Sequence, residues 1–147
     1  MKIWVDADAC PKAVKEILYR VAERTEISVT LVANSPLRLP DSPFLQLLQV
    51  GSGADIADDE IANLCEAGDL IITADIPLAA RVVEKGAQAL DPRGTVYDKN
   101  NIGQGLSMRN FMDELRGSGV ETGGPSGFGQ KEKFKFANAL DKFIAQR

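Results

Sequence analysis

Carboxylates are the residues of this chain best suited to chemistry, because the sequence contains no histidine. That absence excludes serine–histidine and cysteine–histidine mechanisms and histidine-ligated zinc. Catalysis would have to rest on carboxylates, lysine, arginine or hydroxyl groups, or on a metal held by oxygen. Three stretches end an apolar run, or begin a helical pattern, with aspartate: Asp6 and Asp8, then Asp55, Asp58 and Asp59, then Asp75.

The spacing of these aspartates predicts that several of them point the same way. Asp55 and Asp59 are four residues apart on one predicted helix, so they share a face. Asp6 and Asp8 are two apart, which in extended backbone places both on one side. Carboxylates that converge in a cleft repel one another unless a proton or a cation offsets their charge.

Ligands that offer only oxygen favour Mg²⁺ or Mn²⁺, which can activate water and stabilise a phosphoryl displacement. We therefore predict a site for Mg²⁺ or Mn²⁺, with five candidate ligands: Asp6, Asp8, Asp55, Asp59 and Asp75. A structural role is the alternative for some of them. Asp55 and Asp75 fit as helix N-caps, each stabilising its helix by about 1 kcal/mol. Asp6 is harder to explain that way, because aspartate is disfavoured in and around strands.

Alternating strands and helices are the elements that would position these aspartates. Apolar, β-branched runs predict strands at 2–6, 27–33, 45–50, 69–73 and 87–90, with a further edge strand or a loop at 94–98. Helical patterns begin at Pro11 and cover 56–67, the segment from Asp75 to Gly86, 102–116 and 131–146. The order predicts βαβ units in a three-layer α/β/α fold with a mostly parallel sheet. The aspartates would then meet beyond the carboxyl ends of its strands.

The composition indicates one globular domain spanning residues 1–147, with 44% hydrophobic and 26% charged residues. Residues 117–130 are rich in glycine and predict a mobile loop. Cys10 and Cys65 are predicted to be buried thiols. The net charge of −4 argues mildly against broad, nonspecific nucleic-acid binding. No apolar run is long enough for a membrane span and the start is unlike a signal peptide, so we expect a cytoplasmic protein.

Three motifs resemble those of the YaiI/YqxD family of bacterial proteins: Asp6-Ala7-Asp8-Ala9-Cys10-Pro11, Gly53-Ala54-Asp55 through Asp58-Asp59, and Thr73-Ala74-Asp75-Ile76-Pro77-Leu78-Ala79. The resemblance continues through Tyr97 to Ile102, Met108-Arg109 and Thr122-Gly123-Gly124-Pro125, and covers essentially the whole chain. It implies a PIN-like domain, a class whose known members are metal-dependent ribonucleases. By match of position, Asp6, Asp75 and either Asp55 or Asp59 would bind Mg²⁺ or Mn²⁺, and Asp6, Asp59 and Asp75 form the expected catalytic set.

Three functions compete at this point. The favoured prediction is a metal-dependent phosphodiesterase acting on RNA or another phosphodiester. A phosphatase of the haloacid-dehalogenase kind would use Asp6 as its nucleophile, since Asp6-x-Asp8 follows the first strand, but no convincing lysine and threonine motifs accompany it. The third is a non-catalytic module that binds nucleic acid or protein.

Overall fold

A computed structural model of the 147-residue chain describes residues 1–53, 55–107 and 128–146. Within these ranges the strands are β1 (Ile3–Asp6), β2 (Val29–Ala33), β3 (Leu45–Gln49), β4 (Leu70–Ile72), β5 (Gln88–Leu90) and β6 (Val96–Tyr97). The helices are α1 (Lys12–Thr25), α2 (Ile56–Leu64), α3 (Ile76–Glu84), α4 (helical over the described residues 102–107) and α5 (Gln130–Ala145). A short 3-10 turn, Ala7–Ala9, follows β1.

The strands form one sheet in the order β3-β2-β1-β4-β5-β6. Every neighbouring pair is parallel except β5 and β6, which are antiparallel. Helices α1 and α5 pack on one face of the sheet, and α2 and α3 pack on the other. The predicted three-layer α/β/α fold with a mostly parallel sheet is therefore confirmed.

The two faces of β1 show how the layers are built. Ile3 and Val5 belong to the core that includes Leu18 of α1 and Phe136 of α5. Trp4, between them, belongs to the other core, with Val82 of α3. Successive side chains of a strand point to opposite faces, so a strand covered on both sides reads as a continuous apolar run.

The end of α2 differs from the prediction, which carried this helix to residue 67. The helix ends at Leu64, because Cys65 adopts an extended conformation and the Glu66 N–H donates to the Asp69 carboxylate at 2.9 Å. Gly68 then lies in the turn before β4, with φ at +89°, rather than capping the helix. The Asp69 side chain, just before β4, thus takes an N–H group that a longer helix would have used in its last turn.

Gly86 ends α3, as predicted. Its φ is +93°, a conformation that glycine adopts without steric cost. The Gly86 N–H donates to the carbonyl of Val83, and the Ala87 N–H donates to the carbonyl of Val82. These two bonds form the Schellman arrangement that closes many helices.

Some predictions concern residues outside the described ranges. Residues 108–116 of the predicted fourth helix lie there, as do residues 117–127 of the predicted glycine-rich loop. Position 130, which the prediction assigned to the loop, is the first residue of α5. Cys10 and Cys65 are both buried, as predicted, and burial raises the pKa of the Cys10 thiol to about 12. Among the described helices none is long and apolar enough to cross a membrane.

The topology reverses direction between β1 and β4. From β1 the chain passes through α1 to β2 on one side, whereas from β4 it passes through α3 to β5 on the other. Helices α1 and α3 lie on opposite faces, so a crevice opens beyond the carboxyl ends of β1 and β4. Ligand sites of open α/β sheets form at such switch points.

Candidate functional site

A single hydroxyl group connects the ends of β1 and β4. Asp6 ends β1, and its carboxylate Oδ2 accepts a hydrogen bond from Thr73 Oγ1 at 3.1 Å. The same Thr73 oxygen accepts the backbone N–H of Asp75 at 3.0 Å. Asp6 and Thr73 are both buried. Asp6 and Asp75, far apart in the sequence, therefore lie at the same edge of the sheet.

Asp75 also holds the start of α3. Its Oδ1 accepts the backbone N–H of Leu78 at 3.0 Å, and Pro77 occupies the first turn of the helix. The predicted capping role of Asp75 is thus confirmed. The cap fixes the direction of the Asp75 side chain, which also lines the crevice.

Asp58 of α2 is the third carboxyl group at this edge. Burial raises its pKa to about 7, and the charges of Asp6 and Asp75, a hydrogen bond with Asp75 and the charge of Asp55 act in the same direction. The pKa of Asp6 is raised as well, chiefly by burial and then by the charges of Asp75 and Asp8, while the bond from Thr73 opposes the shift. With a pKa of about 7, the Asp58 carboxyl group is protonated for part of the time near neutral pH.

The remaining predicted site residues have other surroundings. Asp8 lies just beyond β1, and its Oδ2 accepts the backbone N–H of Asn34 at 2.9 Å. Asp59 Oδ1 accepts a hydrogen bond from Arg81 Nη1 at 2.8 Å. Asp55 occupies the N-cap position of α2 but makes no side-chain cap bond, so the predicted capping bond is wrong. It lines the crevice beside Asp58 instead.

The crevice on the α2–α3 side forms a cleft of about 340 Å³, which we call the acidic cleft. It is lined by Asp55, Asp58, Asp59, Asp75, Pro77, Leu78 and Arg81. A larger groove, about 560 Å³, lies between α1 and α5, and Asp141 is the one carboxylate among its lining residues in the described part of the chain. The acidic cleft is therefore the place where carboxylates concentrate.

The carboxylates that line the acidic cleft are of the type that hard divalent cations take as ligands. They supply only oxygen, and the pKa of Asp58 is raised first by burial and then by the charges of Asp6 and Asp75. Within residues 1–53, 55–107 and 128–146, no three acidic or cysteine side chains are grouped closely enough to hold a metal ion. Mg²⁺ requires no such group, since it is usually bound by one or two carboxylates together with water and substrate phosphates.

Two residues of this site were not predicted as site residues. Asp58 lies three, four and seven residues before Ile61, Ala62 and Cys65, all of which are buried. That spacing puts a carboxylate on the buried face of α2, which is a signal that the sequence does contain. Thr73 had no comparable signal, because a threonine at the end of a strand is common and its partner, Asp6, is distant in the sequence.

Fold and site together define a three-layer α/β protein with an acidic cleft at the switch point of its sheet. The family model described as "Uncharacterized BCR, YaiI/YqxD family" matches residues 4–146, and the chain belongs to this family. The family predicted from the aspartate motifs is thereby confirmed.

Relatives from several bacteria align along the whole chain. A "UPF0178 protein" of Maridesulfovibrio salexigens is 58% identical over 146 residues, covering 99% of this chain and 97% of the relative. One from Shewanella halifaxensis is 59% identical over 146 residues, with the same coverage of 99% and 97%. "UPF0178 protein Tgr7_2584" of Thioalkalivibrio sulfidiphilus is 55% identical over 147 residues and covers 100% of both chains. No solved structure gives a significant match.

Proposed function

We propose that this protein is a Mg²⁺- or Mn²⁺-dependent phosphodiesterase that acts on RNA. Asp6 and Asp75 would hold the ion, with Asp58 beside them as a third carboxyl group whose pKa is raised by burial and by their charges. A cytoplasmic location and a PIN-like ancestry are part of this proposal. The observation that carries it is the Thr73 hydroxyl bridge, which sets the Asp6 carboxylate beside Asp75 at the switch point of the sheet.

The Thr73 hydroxyl bridge supports a functional role for Asp6 because it leaves the negative charge of the carboxylates in place. Asp6 is buried and receives one hydroxyl donor, while its neighbours Asp75 and Asp8 add negative charge. A buried carboxylate kept for stability would be paired with a cation or with several N–H groups. A cation at this place would remove the repulsion that the fold maintains.

The carboxylates at this edge of the sheet would have separate roles. When bound, the ion supplies Lewis-acid activation of water and stabilises charge at phosphorus. Asp6 is held in place by Thr73 Oγ1, and Asp75 by its cap bond to the Leu78 N–H, so both carboxylates are oriented in advance. Asp59 is engaged by Arg81, so we no longer expect it to be an ion ligand.

Cleavage of a labelled RNA with added Mn²⁺ or Mg²⁺ tests the proposal. Asp6→Asn and Asp75→Asn should each lower kcat/KM by about 100-fold or more, because each removes a charge that would hold the ion. Calorimetric titration with Mn²⁺ should show that both variants bind the ion more weakly, and this measurement does not depend on turnover. Asparagine remains a good N-cap, so Asp75→Asn keeps the start of α3.

Asp141→Asn is the matched control, since it removes an exposed carboxylate of α5. It should leave both cleavage and Mn²⁺ binding unchanged. RNA cleavage that persists in a chelator, or in Asp6→Asn, would contradict the proposal. RNA affinity without turnover and without dependence on the ion would favour the non-catalytic module, and a phosphoryl group trapped on Asp6 would favour the phosphatase.

A further inference from the structure

The acidic cleft presents an electrostatic problem for a phosphodiester substrate. Four of its lining residues are aspartates, and a phosphate group is also negative. Among its described lining residues, Arg81 is the one positively charged side chain. Lys85, one turn further along α3, is directed elsewhere, because its Nζ donates to the carbonyls of Ala62 and Asn63 at 2.7 and 3.2 Å.

Arg81 is held in the cleft by a weak and exchangeable contact. Its Nη1 donates to Asp59 Oδ1 at 2.8 Å, and the two side chains are 46% and 55% exposed. Ion pairs this exposed contribute little to stability, since water competes for both partners. A guanidinium carries five N–H donors in a planar fork that matches two oxygens of a phosphate.

We propose that Arg81 is the phosphate-binding residue of the acidic cleft and that Asp59 is its resting partner. On binding of single-stranded RNA, the guanidinium exchanges the Asp59 carboxylate for oxygens of a backbone phosphate. This inference rests on the proposed function for its choice of ligand, but it concerns binding and does not require turnover. Asp59 then hinders RNA binding, because it competes with the phosphate for Arg81, whereas an ion ligand would promote binding.

Equilibrium binding of a short fluorescein-labelled phosphorothioate RNA, followed by fluorescence anisotropy in Mn²⁺ buffer, tests the inference. Arg81→Ala should raise Kd about tenfold, because a charge-assisted contact is lost. It should also lower the slope of log Kd against log salt by about 0.7, the value for one phosphate contact on a single strand. Arg81→Lys keeps the charge without the fork, so its Kd should lie between those of Arg81→Ala and the wild type.

Asp59→Asn should change Kd in the opposite direction from Arg81→Ala, and it therefore distinguishes best between the two roles of Asp59. Release of Arg81 should lower Kd about two- to fivefold, whereas loss of an ion ligand would raise it. Arg24 and Asp141 provide a matched control pair, since they form an exposed ion pair at 3.3 Å between α1 and α5, outside the cleft. Arg24→Ala and Asp141→Asn should leave Kd unchanged.

The outcomes separate this inference from the proposed function. Arg81-dependent RNA binding without cleavage would overturn the phosphodiesterase and support the role of Arg81. Cleavage with an unchanged Kd in Arg81→Ala would overturn the role of Arg81 alone. Equal weakening by Arg81→Ala and Arg24→Ala would show only a general charge effect and would also overturn it, as would the absence of any RNA binding by the wild type.

Discussion

Two aspartates at opposite ends of the sheet have the same burial and contrasting environments. Asp6, at the carboxyl end of β1, and Asp69, just before β4, are each 8% exposed. The Asp69 carboxylate accepts three N–H groups, from the Lys2 backbone at 3.0 Å, the Trp4 indole at 3.1 Å and the Glu66 backbone at 2.9 Å. Asp6 accepts one hydroxyl, from Thr73, and faces other carboxylates.

The difference shows that burial by itself does not identify a functional carboxylate. Asp69 is satisfied by three donors from two segments, and it joins the start of β1 to the turn after α2. Among the described residues, Asp6 has one hydroxyl donor and no cationic partner, at the edge where ligand sites form in such sheets. We therefore expect Asp69 to contribute mainly to stability and Asp6 to the proposed function, and the following predictions test that difference.

Asp69→Ala should have the largest effect on stability. Loss of the carboxylate leaves the Lys2, Trp4 and Glu66 donors without their acceptor, so the free energy of unfolding should fall by about 3–5 kcal/mol. Urea denaturation followed by Trp4 fluorescence measures it. Asp69→Asn keeps one oxygen acceptor and should lose roughly half as much. A loss below about 1 kcal/mol for Asp69→Ala would remove the contrast with Asp6.

Thr73→Val should have the next largest effect. Valine has nearly the same shape but removes the hydroxyl that donates to Asp6 and accepts from Asp75. The free energy of unfolding should fall by about 1–3 kcal/mol in urea denaturation, and Mn²⁺ affinity should fall with it. Thr73→Ser keeps the hydroxyl and should restore most of both. If the valine and serine variants had the same free energy of unfolding and the same Mn²⁺ affinity, the Thr73 hydroxyl would contribute to neither.

Asp6→Asn should change stability in the opposite direction from Asp69→Asn. The amide oxygen can still accept from Thr73, while the repulsion with Asp75 and Asp8 disappears. The free energy of unfolding at pH 8 should rise by about 0.5–2 kcal/mol, as is common where a strained functional group is removed. Parallel urea curves for the two asparagine variants measure the difference. A decrease in the free energy of unfolding of Asp6→Asn would show that Asp6, like Asp69, is a structural residue.

The pH dependence of stability should show the smallest effect, and we expect Asp58 to be one of its sources. The pKa of Asp58 is about 7 in the folded protein and near 3.8 when unfolded, so the folded state binds the proton more tightly. The stabilisation from this proton is full below pH 3.8 and is lost as the pH rises through 7. Partial exposure makes the effect smaller than the full shift would imply.

Urea denaturation between pH 4 and 8 on Asp58→Asn measures this contribution. As the pH rises from 4 to 8, the free energy of unfolding should fall less in Asp58→Asn than in the wild type. In Asp59→Asn it should fall as much as in the wild type. Added Mg²⁺ at pH 8 should stabilise the wild type more than Asp6→Asn, since the ion takes the place of the missing proton. An identical pH dependence in wild type and Asp58→Asn would show that the carboxyl groups do not interact.

The fold was predictable because it depends on local patterns. Apolar runs marked β1, β2 and β4, and the spacing of Leu18 and its neighbours marked α1. Differences arose where a distant side chain intervened, as when Asp69 took the Glu66 N–H and ended α2 early. The site was predictable only in part, since Asp6 and Asp75 were selected whereas Asp58 and Thr73 were not.

The sequence by itself determined which segments are strands and helices, and therefore the edge at which Asp6 and Asp75 lie. It also determined the family, through motifs that extend along the chain. Only the tertiary structure decided what each aspartate meets: three N–H donors for Asp69, Arg81 for Asp59, and other carboxyl groups for Asp6 and Asp58. The physical reason is that the energy of a carboxylate is set by its partners within a few ångströms, and here most of those partners come from distant parts of the chain.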